Sequence, residues 1–312
     1  MNALLFPGQG SQIVGMGSEF YNTFSSVKTI FEKADEKLNY PISKLILEGP
    51  SDKLQLTKNT QPAILTVSYS IFSVLKKEFN FDFSLFKYFA GHSLGEYSAL
   101  VCSESLKFED AIYLLNQRGQ AMQEAVPVGE GSMIAVLGAK IESIKELIVS
   151  KKNGGVCEIA NDNADGQVII SGNKKDVELF QNTLKEKKIK SIPLKVSAPF
   201  HCSLMKPAAE NMVEKINKVE FKKPKYKIVN NVNASAVDDP QQIKDLLVKQ
   251  IFSSVKWRES ILKMSKDQVT NFIEIGPGKV LTGMVKRTLN QVNCFSINSI
   301  ADIKNLQNGI TK

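Results

Sequence analysis

The sequence predicts an α/β protein, a larger body of strands and helices interrupted by a small ferredoxin-like subdomain. Three observations carry this prediction. Short apolar runs of strand length alternate with stretches whose apolar residues recur every three or four positions. Between 132 and 196 the order becomes β-α-β-β-α-β, the ferredoxin-like pattern. Turn-rich joints flank that block, "VPVGEG" (126–131) and "SAPF" (197–200). The expected division is a discontinuous body over 1–125 and 198–312, with the subdomain over 126–197.

Taken in order, "ALLF" (3–6) reads as a buried strand entering the turn "PGQGSQ". Residues 60–79 read as a helix, with Ile64, Val67, Ile71, Val74 and Leu75 on one face, Thr60 as N-cap and Pro62 in the first turn. "KYFAG" (87–91) is the next strand, and Leu94 to Val101 is helical in composition. In the subdomain, 132–138 is a strand and 140–150 a helix; 156–161 and 167–172 are strands joined by a turn-rich link. A helix over 174–187 and a strand over 190–196 complete it. The body resumes with a helix at 204–218, a strand at 226–230 and helices across 240–265. A strand at 271–275, a helix at 279–290 and a strand at 293–297 follow.

At 312 residues the chain is long enough to bury a substantial core, and 43% hydrophobic with 23% charged residues is ordinary for a globular protein. No apolar run approaches bilayer length, and the N-terminus "MNALLFPGQG" lacks a basic, apolar leader. Four scattered cysteines (Cys102, Cys157, Cys202, Cys294) have neither metal-ligand nor redox spacing, so they read as reduced thiols of a cytoplasmic protein with no metal site. The net charge of +8 is almost all lysine, with arginine only at 118, 258 and 287. Such a surface suits an acidic partner, and no recognisable binding motif accompanies it to suggest nucleic acid.

The stretch "GHSLGEYSAL" (91–100) carries the chemistry. Gly91-x-Ser93-x-Gly95 after a strand and before a helix has the nucleophile-elbow form. A helix-capping serine would look the same, so the pattern leaves both readings open. A serine hydroxyl needs a base. Of the two histidines, His92 adjoins the serine and would leave the turn in another direction, which leaves His201 in "SAPFHCSLM". Cys202 beside it reads as packing.

Together with "FPGQGSQ" (6–12), "TQPA" (60–63), "RGQAMQEAVP" (118–127), "NDNADGQVIISG" (161–172) and "EIGPGKVL" (274–281), these motifs resemble one family. It comprises malonyl-CoA:acyl carrier protein transacylases and the related acyltransferase domains of fatty-acid and polyketide synthases. The resemblance implies a hydrolase-like α/β body with a ferredoxin-like insertion. It implies ping-pong transfer of malonyl from malonyl-CoA to acyl carrier protein for fatty acid biosynthesis, with no cofactor. Carried over residue by residue, it makes Ser93 the nucleophile and His201 the base. The backbone N–H groups of Gln9 and Leu94 become the oxyanion hole, and the backbone carbonyl of Gln250 orients the histidine. Arg118 would grip the malonyl carboxylate, its alternative being an exposed helix arginine paired with Glu124. Met122 lines the acyl pocket or belongs to the core. Phe200, where many stand-alone members carry serine, and Leu94 imply malonyl over methylmalonyl. A serine hydrolase would expect an acidic triad member and a histidine near the C-terminus; a non-catalytic carrier-binding scaffold would not need the serine.

Overall fold

The computed structural model describes residues 1–150 and 154–310. Its strands are β1 (Asn2–Phe6), β2 (Phe86–Gly91), β3 (Gly131–Leu137), β4 (Cys157–Ala164), β5 (Gln167–Asn173), β6 (Lys190–Pro193), β7 (Lys227–Val229), β8 (Ala236–Val237), β9 (Asn271–Ile275) and β10 (Asn293–Ile297). The helices before the insertion are α1 (Ser18–Thr23), α2 (Ser25–Leu38), α3 (Ile42–Glu48), α4 (Ser51–Leu54), α5 (Thr57–Lys77), α6 (Gly95–Cys102) and α7 (Phe108–Glu124). The insertion contributes α8 (Ile141–Ser150) and α9 (Lys174–Glu186), and the body resumes with α10 (Lys206–Lys218), α11 (Pro240–Gln250), α12 (Trp257–Lys266), α13 (Val280–Thr288) and α14 (Ile300–Ile310).

Two sheets result. The body sheet runs β10-β9-β1-β2-β7-β8, parallel except where β8 turns back on β7. The insertion forms an antiparallel sheet in the order β4-β5-β3-β6, with α8 and α9 as its two helices, which is the ferredoxin-like arrangement. Strand β1 is buried on both faces, as a central parallel strand must be. Leu4 and Phe6 join the large core with α5 and α7, while Ala3 and Leu5 point into a second core around Trp257, Phe272 and Val285.

The structure differs from the sequence reading in several places. Helix α5 begins at Thr57, so Thr60 is not its cap; the Thr60 hydroxyl instead donates to the Leu54 carbonyl at 2.6 Å. Pro62 therefore lies inside the helix. Its missing N–H leaves the Lys58 carbonyl free, and Asn116 Nδ2 on α7 donates to that oxygen at 3.1 Å. Strand β4 runs to Ala164 through two irregularities, so the link to β5 is only Asp165-Gly166. Strand β6 stops at Pro193, and the helix expected from 204 opens as a 3-10 turn over Ser203–Met205. Helices α1 to α4, α7 and α14 and strand β8 have no counterpart among the elements expected from the sequence.

The polar run Asn161-Asp162-Asn163 stays in a strand because the body meets it. The Asp162 N–H donates to the Val255 carbonyl at 3.0 Å, and the Val255 N–H donates to Ala160 at 2.8 Å. Arg258 Nε on α12 donates to Asp162 Oδ1 at 2.9 Å, with the carboxylate buried. Glu158 accepts from both the Ser203 N–H and its hydroxyl. Removing one partner of a buried ion pair strands the other charge. Arg258 keeps some exposure, so Asp162→Ala is expected to lower stability by about 2–3 kcal/mol, somewhat under the fully buried case. Urea unfolding followed by tryptophan fluorescence measures this, Trp257 being the single tryptophan, fully buried and next to Arg258 at the start of α12.

Candidate active site

Strand β2 ends at Gly91, and the chain reverses into α6 through His92, Ser93 and Leu94. Ser93 takes φ +53°, in the left-handed region that costs a side-chain-bearing residue on the order of 1–3 kcal/mol. The two flanking glycines exist for space. A Cβ on Gly91 would stand 1.9 Å from the Gly95 carbonyl, and one on Gly95 would stand 2.2 Å from the Phe6 oxygen. Asn231, just after β7, holds the turn. Its Oδ1 accepts the Ser93 N–H at 2.7 Å and its Nδ2 donates to the Gly91 carbonyl at 2.8 Å. Its own N–H donates to Glu96 Oε2 at 3.1 Å.

The Ser93 hydroxyl lies 2.7 Å from His201 Nε2, and His201 Nδ1 lies 2.9 Å from the Gln250 backbone oxygen. A carbonyl only accepts, so Nδ1 carries the proton and Nε2 presents its lone pair to the serine. Burial, then the nearby positive charge of Arg118, hold the His201 pKa down at about 3. The imidazole is thus neutral at ordinary pH and free to accept a proton. Like Ser93, His201 adopts a left-handed backbone, φ +57°.

Arg118, on α7, is buried rather than exposed, and Glu124 instead accepts from Gln120. Its Nη1 donates to Gln61 Oε1 at 2.7 Å, and its Nη2 donates to Ser93 Oγ at 3.1 Å and to Gln250 Oε1 at 2.8 Å. The Tyr97 ring lies beneath the guanidinium, 5.8 Å from its centre. No carboxylate forms an ion pair with it among the described residues.

Ser93, His201 and Arg118 face a cavity of about 190 Å³, together with Gln9, Met122 and Phe200. Met122 is nearly fully buried and its sulfur is 3.9 Å from Gln61 Nε2, so it is both core and wall. The Gly8-Gln9-Gly10 loop passes against the elbow; a Cβ on Gly8 would come within 2.7 Å of the His92 oxygen. The backbone N–H groups of Gln9 and Leu94 have no protein acceptor among the described residues. His92 turns away, as the sequence suggested, and bonds Asn163 Oδ1 on β4 at 2.8 Å. Its ring packs against Trp257.

Gln61, Asn163 and Asn231 escaped the sequence reading, as did Glu96 and the side chain of Gln250. Gln61 and Glu96 sit inside quoted motifs, where a buried polar residue amid apolar ones is the available signal. Asn231 has no local signal. No cluster of three or more side chains suited to a metal occurs among the described residues, and no described helix is long and apolar enough to cross a membrane.

Residues 3–309 match the family described as the acyl transferase domain. A malonyl CoA-acyl carrier protein transacylase from Bacillus subtilis (strain 168) is 44% identical over 298 residues, covering 95% of this chain and 92% of that one. An acyl carrier protein S-malonyltransferase from Vibrio cholerae superposes with a TM-score of 0.94 at 41% identity, over 98% of this chain and 99% of the other. A malonyl-transacylase solved in complex with its type II PKS acyl-carrier protein gives 0.94 at 38% identity, over 98% and 99%.

The depressed His201 pKa fixes a sign. In the unfolded chain the imidazole binds a proton near pH 6.5, whereas the folded site binds one only near 3. The unfolded state therefore takes up more protons between those values. His201 is expected to withdraw stability as pH falls from 6.5 toward 3, by at most about 1.4 kcal/mol per pH unit. Denaturant unfolding across that range, compared with His201→Gln, isolates the contribution: the variant loses less stability on acidification.

Proposed function

The chain belongs to the acyl transferase domain family, and from that premise we propose that it transfers malonyl from malonyl-CoA to the phosphopantetheine thiol of acyl carrier protein. The product, malonyl-ACP, supplies fatty acid biosynthesis. The observation that carries the reading is a serine hydroxyl 2.7 Å from a neutral histidine and 3.1 Å from a buried arginine, in one cavity.

In this mechanism Ser93 Oγ attacks the thioester carbonyl as its proton passes to His201 Nε2. The tetrahedral oxyanion is held by the N–H groups of Gln9 and Leu94, whose lack of protein acceptors supports that role. Collapse breaks the C–S bond, and CoA leaves as the thiol with the proton from His201. The carrier's thiol then gives its proton to the same nitrogen and attacks malonyl-Ser93, and the serine hydroxyl is restored. Gln250 O stabilises the transient imidazolium only as a dipole, where a serine hydrolase would expect a carboxylate.

Arg118 matches the free carboxylate of a malonyl group, because a guanidinium presents two parallel donors that lysine cannot. The donor now resting on Ser93 Oγ becomes available when the acyl group arrives. Phe200 lines the wall beside His201, in the space an α-methyl branch would need, whereas Leu94 is buried in the core and does not line the cavity, so its side chain gives the malonyl preference no support. Acidic carrier proteins suit a chain with net charge +8. We also propose a cytoplasmic setting, supported by four free cysteines, two of them fully buried. The reading takes residues 126–197 as the subdomain that walls one side of the cavity.

Intact-protein mass after mixing with malonyl-CoA and no acceptor tests the mechanism. Wild type gains a single malonyl adduct and Ser93→Ala gains none; an adduct on both overturns the assignment to Ser93, and an adduct on neither leaves a fast hydrolase or a non-catalytic binder, which released CoA tells apart. Arg118→Lys is expected to slow malonyl loading roughly 100-fold, about 3 kcal/mol, in rapid-quench assays. Phe200→Ser is expected to raise methylmalonyl-CoA turnover relative to malonyl-CoA on the order of tenfold, read from competing-substrate assays.

A further inference from the structure

Glu96 is a buried carboxyl group beside the nucleophile that the reaction above does not use. It stands in the first turn of α6 and is 2% exposed. Its Oε2 accepts from Gln250 Nε2 at 2.7 Å, besides the Asn231 N–H. The other end of the same Gln250 amide, Oε1, accepts from Arg118 Nη2 at 2.8 Å. An ionised carboxylate only accepts and a guanidinium only donates. The amide between them therefore has one satisfying orientation, its NH₂ toward Glu96 and its carbonyl toward Arg118. A buried anion and a buried cation end up separated by a single neutral group.

That spacing answers two opposed requirements. A buried guanidinium without compensating charge is costly. A carboxylate bonded directly to it would occupy the donors that an acyl carboxylate needs. We propose that Glu96 is the counter-ion of Arg118, held one amide away by Gln250 so that the arginine is compensated without a protein carboxylate taking the donors that the acyl group needs. The proposal rests on the malonyl-transfer reading and adds to it a positioning residue for acyl choice.

The consequence is competition between two anions for one cation. The charged and titratable groups facing Glu96 are Arg118 from α7 and Tyr97 beside it on α6; Gln250 from α11 and Asn231 are neutral donors. Burial pushes the Glu96 pKa up to about 7, against the pull of Gln250, Asn231 and Arg118. An arriving malonyl carboxylate raises it further, so at pH 8 docking requires Glu96 to take up a proton, whereas at pH 6 the proton is already present. Malonyl-CoA should therefore bind more tightly as pH falls, and acetyl-CoA, which has no carboxylate, should not. His201 and Tyr97, near 3 and 12, do not titrate in that window.

The test compares the half-saturating concentration of malonyl-CoA for Ser93 acylation with the inhibition constant of acetyl-CoA, from pH 6 to 8. Their ratio cancels titration of the shared CoA. In wild type the preference for malonyl is expected to grow roughly five- to tenfold from pH 8 to 6. Glu96→Gln, which keeps the shape and an acceptor oxygen, should hold the pH 6 preference throughout. A flat ratio in wild type, which needs no variant, overturns the proposal, as does a pH dependence that survives in Glu96→Gln. A merely structural Glu96 would shift both ligands equally and leave the ratio alone, which also overturns it. If wild type forms no malonyl-Ser93 at all, the transfer reading fails and this proposal with it; if the adduct forms and the ratio is flat, only this proposal fails.

Discussion

Helix α6 begins within a carbonyl's radius of the ends of β1 and β2, and glycines at 91 and 95 are what let it do so. That approach forces the residue between them into a left-handed backbone and lifts its hydroxyl out of the strand. The strain is borne by Asn231, which meets the Ser93 N–H and the Gly91 carbonyl with one side chain. The parallel sheet supplies the rigid edge, since β1, β2 and β7 all deliver their ends to this one place. A serine on a free loop would have no reason to stay in that conformation.

Gln250 gathers what the elbow exposes. Its backbone oxygen fixes the tautomer of His201, its amide nitrogen reaches the Ser93 carbonyl and Glu96, and its amide oxygen takes a donor from Arg118. Ser93, His201 and Arg118 are thus registered to the end of one helix, α11. Because burial and Arg118 both disfavour an imidazolium, His201 rests neutral with its Nε2 lone pair toward Ser93, and a proton taken up there is readily given back. Positive charge on Arg118 opposes protonation of His201, and an anion placed on Arg118 would relieve that opposition.

Much of this was legible in the sequence, and the gaps have physical causes. Long periodic helices such as α5 and α9 announced themselves, as did the strands feeding the elbow. The end of β4 did not, because Asn161, Asp162 and Asn163 look like turn residues until Val255, Arg258 and His92 are placed beside them. Thr60 and Pro62 mimicked a helix start because the carbonyl that Pro62 leaves free is satisfied by Asn116, which lies more than fifty residues away. At the site, Ser93 and His201 were marked by motif and by elimination. The backbone carbonyl of Gln250 was reachable only through family resemblance, and its side-chain contacts were not reachable at all. Asn231 sits in an unremarkable "NN" pair, and its partners are fixed only by the folded chain.

The walls of the cavity have two origins. Gln61, Arg118 and Met122 come from body helices, whereas Met133, Ile169 and Leu194 come from the inserted strands and the segment after them. Ser93, His201 and Arg118 and much of the cavity lining are therefore encoded in different stretches of chain, with Met133, Ala135, Ala160 and Ile169 of the insertion packing into the same large core as the body helices. Substitutions in the insertion can redraw the room for an acyl chain while Ser93, His201 and Asn231 keep their spacing. Such an arrangement gives natural variation, or a protein engineer, one half to vary and one half to leave alone.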